Sequence, residues 1–225
     1  MPEVLFAGPE GRLEGRYQPA DDPKAPIAIV LHPHPQFGGN MNNELCYKLF
    51  YMFVENGFTA LRFNFRGIGR SQGEFDHGAG ELSDAAAALD WIQALHPESR
   101  ATWIAGYSFG AWIGMQLLMR RPEVEGFMSI APSPNLYDFS FLAPCPSSGI
   151  ILHGSEDKVA PPKDVQGLVD KLMTQKGIRI TQHTMDGAAH FFEGRQDEVV
   201  EICEDYMLMR LEMKNSPDPE IRLLR

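Results

Sequence analysis

Five runs of this sequence are apolar almost from end to end: APIAIVLH (25–32), FTALRFNF (58–65), ATWIAGYS (101–108), EGFMSIA (125–131) and SGIILHG (148–154). A strand with one face in water alternates polar and apolar residues. A continuous apolar run suits a strand covered on both faces, as in a parallel sheet under helices. Helix-like segments fall between the runs, at about 41–56, 82–95, 109–121, 162–176 and 194–211. LSDAAAALDWIQAL is typical: it is rich in Ala and Leu, with Ser83 or Asp84 placed to cap its start. Pro122 stops the segment after it. The alternation predicts an α/β fold, a doubly wound and mostly parallel sheet of about seven or eight strands with helices on both faces. IRITQHTM (178–185) alternates more and reads as a further strand. VLFAGPEGRLEGRYQP reads as a hairpin turning at Gly-Pro-Glu-Gly, which gives the sheet an antiparallel N-terminal edge.

A chain of 225 residues fits one such domain, and it shows neither repeats nor a linker. Residues 213–225, MKNSPDPEIRLLR, read as a tail, because two prolines oppose continuation of the helix. The balance of 20 Lys+Arg against 30 Asp+Glu gives a formal charge of −10, which repels phosphate backbones, so no nucleic-acid partner is expected. No window approaches the roughly 20 apolar residues of a membrane span, so no membrane partner is expected. The opening residues do not resemble a secretory signal. Cys46, Cys145 and Cys203 are far apart and odd in number, which fits free buried thiols in a reducing cytoplasm.

Chemistry concentrates at Gly106-Tyr107-Ser108-Phe109-Gly110, between a strand candidate and a helix candidate. Gly-x-Ser-x-Gly in that context is a nucleophile elbow. The turn forces the serine into unfavourable backbone angles, and the glycines leave space where the chain passes close to itself. The hydroxyl then stands beside a helix N-terminus, where negative charge is favoured.

A serine needs a base, and in this architecture the chain order is Ser, acid, His. His153 reads as a strand-end residue and His183 lies inside a strand, whereas His190 stands in the small-residue loop Gly187-Ala188-Ala189-His190. His190 is therefore the candidate base. The acid is sought after the run IILHG, where Asp157 is preferred to Glu156. Developing oxyanion charge needs fixed donors. The backbone N–H of Phe109 supplies one. The second comes from the loop HPHPQFGGN after the central run, where among residues 33–35 only His34 has a backbone N–H.

Other features carry less. His32-x-His34 has a spacing that zinc accepts, but no third ligand of matching clarity stands nearby, so no metal is expected. RGIGRSQG (66–73) contains Gly-x-Gly without the third glycine of a dinucleotide site and reads as a tight turn, so no cofactor is expected. Phe37, Phe75, His77 and Tyr107 are candidate substrate contacts. The stretch PSPNLYDFSFLAPCPSS is too short for a cap domain, which suggests an open, shallow site for small or short-chain acyl groups. MLMRLEM (207–213) reads first as a core-facing stretch, with a role in a homo-oligomer, a dimer or larger, left open.

Together the elbow, HGSEDKVAP, GAAHFF, HPHPQFGGNMNN and RFNFRGIGRSQGEFDHGAGELSD resemble the α/β-hydrolase superfamily, and more narrowly small lidless bacterial hydrolases related to dienelactone hydrolases. The resemblance spans about residues 10–210. It implies a serine esterase acting on a small-molecule ester, with Ser108, Asp157 and His190 as triad. Thioester hydrolysis, acyl transfer and peptide cleavage on the same triad stay open, as does a non-catalytic binding protein that keeps the fold. Dienelactone hydrolases proper carry a cysteine nucleophile, so Ser108 points away from dienelactone turnover and toward ordinary esters.

Overall fold

The computed structural model describes residues 2–142 and 144–215. Its strands are β1 (Glu3–Gly8), β2 (Gly11–Gln18), β3 (Ile27–Leu31), β4 (Thr59–Phe63), β5 (Thr102–Tyr107), β6 (Val124–Ile130), β7 (Gly149–Gly154) and β8 (Ile180–Met185). The helices are α1 (Glu44–Glu55), α2 (Ala79–Leu95), α3 (Phe109–Leu118), α4 (Pro162–Met173) and α5 (Gln196–Asn215), with a short 3-10 turn at Pro35–Phe37.

The apolar runs form the centre of one eight-stranded sheet, in the order β1-β2-β4-β3-β5-β6-β7-β8. β3, β4, β5 and β7 are buried at every residue, as strands covered on both faces must be. Their side chains divide by alternation. Ile27, Ile29 and Leu31 of β3 join a core with α2, α3 and α4. Ala28 and Val30 face a second core, built with α1 and α5. β1 and β2 close as the expected hairpin, Gly8 opposite Gly11, and β2 runs antiparallel to β4. The remaining ladders are parallel. β8, the alternating strand, lies at the other edge.

Helix ends depart from the expected boundaries. α2 begins at Ala79, before both Ser83 and Asp84. The Glu81 carboxylate takes the orphan donors there, accepting from the Gly78 N–H at 2.6 Å and the Asp76 N–H at 2.9 Å. Asp84 lies inside the helix, buried, holding the Arg66 guanidinium at 2.8 and 3.0 Å. α5 continues to Asn215, so the first residues assigned to the tail are helical, and residues 216–225 lie outside the described residues. Met207 is buried, and Met209 and Leu211 pack on the α1/α5 core, while Leu208 is exposed. Among the described residues, no helix is long and apolar enough to cross a membrane.

Candidate active site

β5 delivers Ser108 to the carboxyl edge of the sheet, and α3 starts at the next residue. Ser108 has φ 54° and ψ −112°, a backbone conformation that L-residues avoid. Its N–H donates to the Ile130 carbonyl at 2.8 Å, which ties the strained turn to β6. Both flanking glycines are required by close approach. A Cβ on Gly106 would stand 2.3 Å from the Gly110 carbonyl oxygen, and a Cβ on Gly110 would stand 2.3 Å from that of Leu31. Those neighbours are backbone and have little room to yield.

Three side chains from three loops meet in one hydrogen-bonded line. His190 Nε2 lies 3.0 Å from Ser108 Oγ, and His190 Nδ1 lies 2.7 Å from Asp157 Oδ2. The other carboxylate oxygen, Oδ1, accepts the Val159 and Ala160 N–H groups at 2.8 and 2.7 Å. Asp157 is thus aimed by its own loop. A carboxylate accepts, so it fixes the proton on Nδ1 and leaves Nε2 to accept from the serine hydroxyl. Asp157 and His190 are 3% and 4% exposed. Glu156 is exposed, and its N–H donates to the Ala188 carbonyl at 3.0 Å, joining the acid loop to the base loop. The Tyr107 hydroxyl, buried one residue before the serine, donates to the His190 carbonyl at 2.9 Å.

The Phe109 N–H is the first of α3, where helix geometry leaves it without an internal acceptor. Among the described residues, neither it nor the His34 N–H is engaged in a hydrogen bond. The loop that carries His34 is folded on itself. The His34 carbonyl accepts from Phe37 and Gly39 at 3.1 and 3.0 Å, and its Nδ1 accepts from the Gln36 N–H at 3.2 Å. The His34 ring packs 5.0 Å from Phe75 and 5.0 Å from Phe109. Burial holds this imidazole below its ordinary pKa, with Glu81 pulling it up and His77 down. The far end of the loop is pinned at Met41, whose N–H reaches Asn64 Oδ1 at 2.8 Å and whose carbonyl accepts from Arg62 at 2.6 Å.

His32 has a different position from His34. Its Nε2 accepts the Phe65 N–H at 3.0 Å, so Nδ1 carries the proton and donates to the Pro33 carbonyl at 2.7 Å. Full burial pushes its pKa down to about 4. Both ring nitrogens are engaged within the fold. No group of three or more His, Cys, Asp or Glu side chains that would suit a metal occurs among the described residues. His153 is likewise buried, with Nε2 3.0 Å from the Thr184 hydroxyl. The three cysteines are free and buried, and burial pushes the Cys46 and Cys203 thiols up to about 12.

A cleft of about 350 Å³ opens over Ser108 and His190. Phe37 stands on its rim, 85% exposed. Three of the candidate contacts lie outside the wall. Tyr107 points into the α1/α5 core. Phe75 lies against His34 and Phe109, and His77 rests on Phe75 at 4.9 Å. The wall includes Leu136, Tyr137, Val159 and Phe191, which sequence reasoning did not single out. Arg62 and Asn64, which anchor the His34 loop, left one signal: with Thr59 they are polar residues inside a largely apolar strand run. A second cleft, about 260 Å³, opens near Trp103, Val124 and Arg210, at the amino ends of the central strands. Among the described residues no histidine or cysteine lines it, and Lys214 there pairs with Glu125 at 2.5 Å.

Residues 15–185 match the model of the X-Pro dipeptidyl-peptidase family, S15. A Rickettsia prowazekii protein, itself uncharacterised, is 51% identical over 212 residues, covering 92% of this chain and 89% of its own. The crystal structure of an α/β hydrolase of unknown function from Agrobacterium tumefaciens is 72% identical, with a TM-score of 0.93 over 97% of this chain and 100% of that one. An α/β serine hydrolase without a lid from Xanthomonas campestris is 30% identical, with a TM-score of 0.81 over 91% of this chain and 92% of that one. With a mostly parallel sheet, an elbow serine and an Asp–His–Ser line, the chain belongs to the S15 family within the α/β serine hydrolases.

Proposed function

We propose that the chain is a carboxylesterase that cleaves small or short-chain esters through an acyl-enzyme. The observation that carries this reading is the Ser108–His190–Asp157 line at a mostly apolar cleft, with the Phe109 and His34 N–H groups left without an acceptor among the described residues. His190 Nε2 takes the hydroxyl proton as Ser108 Oγ bonds to the substrate carbonyl carbon. The carbonyl electrons move to oxygen, which the Phe109 and His34 N–H groups receive. Removing one such donor costs roughly 3 kcal/mol of transition-state stabilisation. Asp157 keeps the imidazole oriented and stabilises its charged form. His190 then protonates the leaving alcohol, and the same sequence with water releases the acid. The chemistry needs no cofactor. We place it in a single lidless domain, and the three free cysteines fit a cytoplasmic setting.

Peptide cleavage is the second reading, favoured by the S15 match. A peptidase that trims from a free N-terminus gains from a carboxylate that holds the ammonium. Among the described residues no Asp or Glu lines the cleft. That supports the ester reading.

The test is labelling with a fluorophosphonate, with the modified peptide mapped by mass spectrometry, in wild type, Ser108→Ala and His190→Ala. The expected result is a label on Ser108 that both variants lose, together with hydrolysis of p-nitrophenyl acetate and butyrate. A folded protein with neither label nor turnover would overturn the proposal. Matched oxygen ester, thioester and anilide rates then rank the leaving groups, with the oxygen ester expected fastest.

A further inference from the structure

We infer that the cleft selects an uncharged ester that carries an aromatic ring. The inference rests on the ester-hydrolase reading and adds the class of substrate. Besides His190, four rings line the cleft, contributed by three different loops: His34 and Phe37 after β3, Tyr137 after β6, and Phe191 after β8. Two of them are held from behind. Tyr137 stacks on Trp112 with centroids 4.5 Å apart and planes 14° apart, and the Trp112 indole N–H is fixed by the Asp138 carbonyl at 2.9 Å. The His34 ring rests on Phe75 and Phe109, and the Gln36 N–H occupies its Nδ1. Walls set in advance favour a flat, rigid partner. A flexible acyl chain of similar volume loses more rotamer freedom on entering.

The other two rings are on the rim. Phe37 and Phe191 are 85% and 58% exposed, beside Leu136 and Val159. An apolar collar gathered over one serine is a surface that substrate can cover. Ring-to-ring contacts add attraction beyond the area buried. Charge points the same way. Among the described residues no Asp, Glu, Lys or Arg lines the cleft, and the ionisable side chains there are imidazoles and one phenol. A carboxylate on the substrate would lose water there and find no fixed cation, on a chain whose formal charge is −10.

The experiment uses the full-length protein and methyl esters throughout, so that the leaving group is constant. Initial rates are followed by titrating the released acid. Methyl phenylacetate is compared with methyl cyclohexylacetate, its saturated counterpart, and with monomethyl succinate, an anion. The expected kcat/KM for phenylacetate is roughly tenfold above cyclohexylacetate, and about a hundredfold or more above monomethyl succinate. In the Phe37→Ala/Phe191→Ala double variant, which keeps the Tyr137 and His34 walls, the ratio of phenylacetate to cyclohexylacetate falls to roughly threefold. Equal rates on the ring and its saturated counterpart in wild type, or a preference undiminished in the double variant, would overturn the inference and leave the esterase reading standing. A labelled but inert protein, hydrolysing none of these esters, would instead overturn the esterase reading.

Discussion

The two edges of the sheet handle backbone strain differently. Among the described residues, four non-glycine residues have positive φ: His77 at 51°, Ser108 at 54°, Ala131 at 45° and Phe192 at 50°. Each lies in a loop that leaves the carboxyl end of a strand, after β4, β5, β6 and β8 respectively. At the amino edge the positive φ values belong to glycines, Gly57 and Gly177, and a Cβ on either would meet nothing within 4 Å. The amino edge relaxes by residue choice. The carboxyl edge keeps strained side chains because they have work there: Ser108 carries the hydroxyl, and Phe192 is buried near Tyr107 two residues beyond His190. Strain of this kind, about 1–3 kcal/mol per residue, persists only where surrounding packing enforces it.

Ser108→Gly tests the contrast most strongly. Turnover is expected to fall roughly 10³-fold or more, while stability rises by about 1 kcal/mol as the strained angle is relieved. Urea unfolding with an unchanged slope, alongside the activity assay, checks both. A variant that loses activity and stability together would mean that the elbow is not strained.

Acid is expected to act through the same edge. His32 takes up its proton near pH 4 in the fold, against an ordinary value of 6.5. Between those values the unfolded chain binds the proton and the folded chain does not, so stability falls as pH drops from 6.5 to 4. The loss is roughly 3 kcal/mol. His153 is shifted in the same direction by burial and adds to the slope. Denaturation midpoints measured across that range should show the decline, and His32→Gln should flatten it whatever its absolute stability.

Smaller effects sharpen the comparison. Gly110→Ala drives a methyl toward the Leu31 carbonyl oxygen and is expected to cost about 2–3 kcal/mol. Gly57→Ala, strained but unobstructed, is expected to cost about 1 kcal/mol. Thermal unfolding of the two variants side by side would expose any failure of that order. Tyr107→Phe leaves the His190 carbonyl without its donor. The expected result is a roughly tenfold lower kcat with KM unchanged and a loss of about 1 kcal/mol in stability. A change confined to KM would argue against a role in holding the base.

The sheet was legible because its strands are apolar on both faces, and few other structures bury such runs. The elbow was legible because glycine at 106 and 110 answers a backbone approach that nothing larger permits. Asp157 and His190 stood out as a carboxylate and an imidazole in loops after adjacent strands. Residues whose place depends on how loops lean were harder to read. Tyr107 falls within a strand, so alternation decides its direction and sends it inward. Phe75 and His77 belong to a loop folded back against the His34 ring. Tyr137, Val159 and Phe191 gave no pattern of their own. The start of α2 was misplaced because Glu81, the third residue of the helix, accepts the Asp76 and Gly78 N–H groups, so the helix starts a turn earlier with no need of Ser83 or Asp84 as its cap.

The pairing of β3 with β5 has a consequence for precision. Leu31 stands opposite Gly106, so the loop that carries His34 and the turn that carries Ser108 leave adjacent strands within two residues of a shared rung. Their separation is gauged by the ladder, whose strands sit about 4.8 Å apart, and a slip of one residue would misplace the donor by roughly 3.3 Å. The walls that Leu136 and Tyr137 supply after β6 can therefore change what is bound, while the spacing between the Ser108 turn and the His34 loop is inherited unchanged from the weave of the sheet.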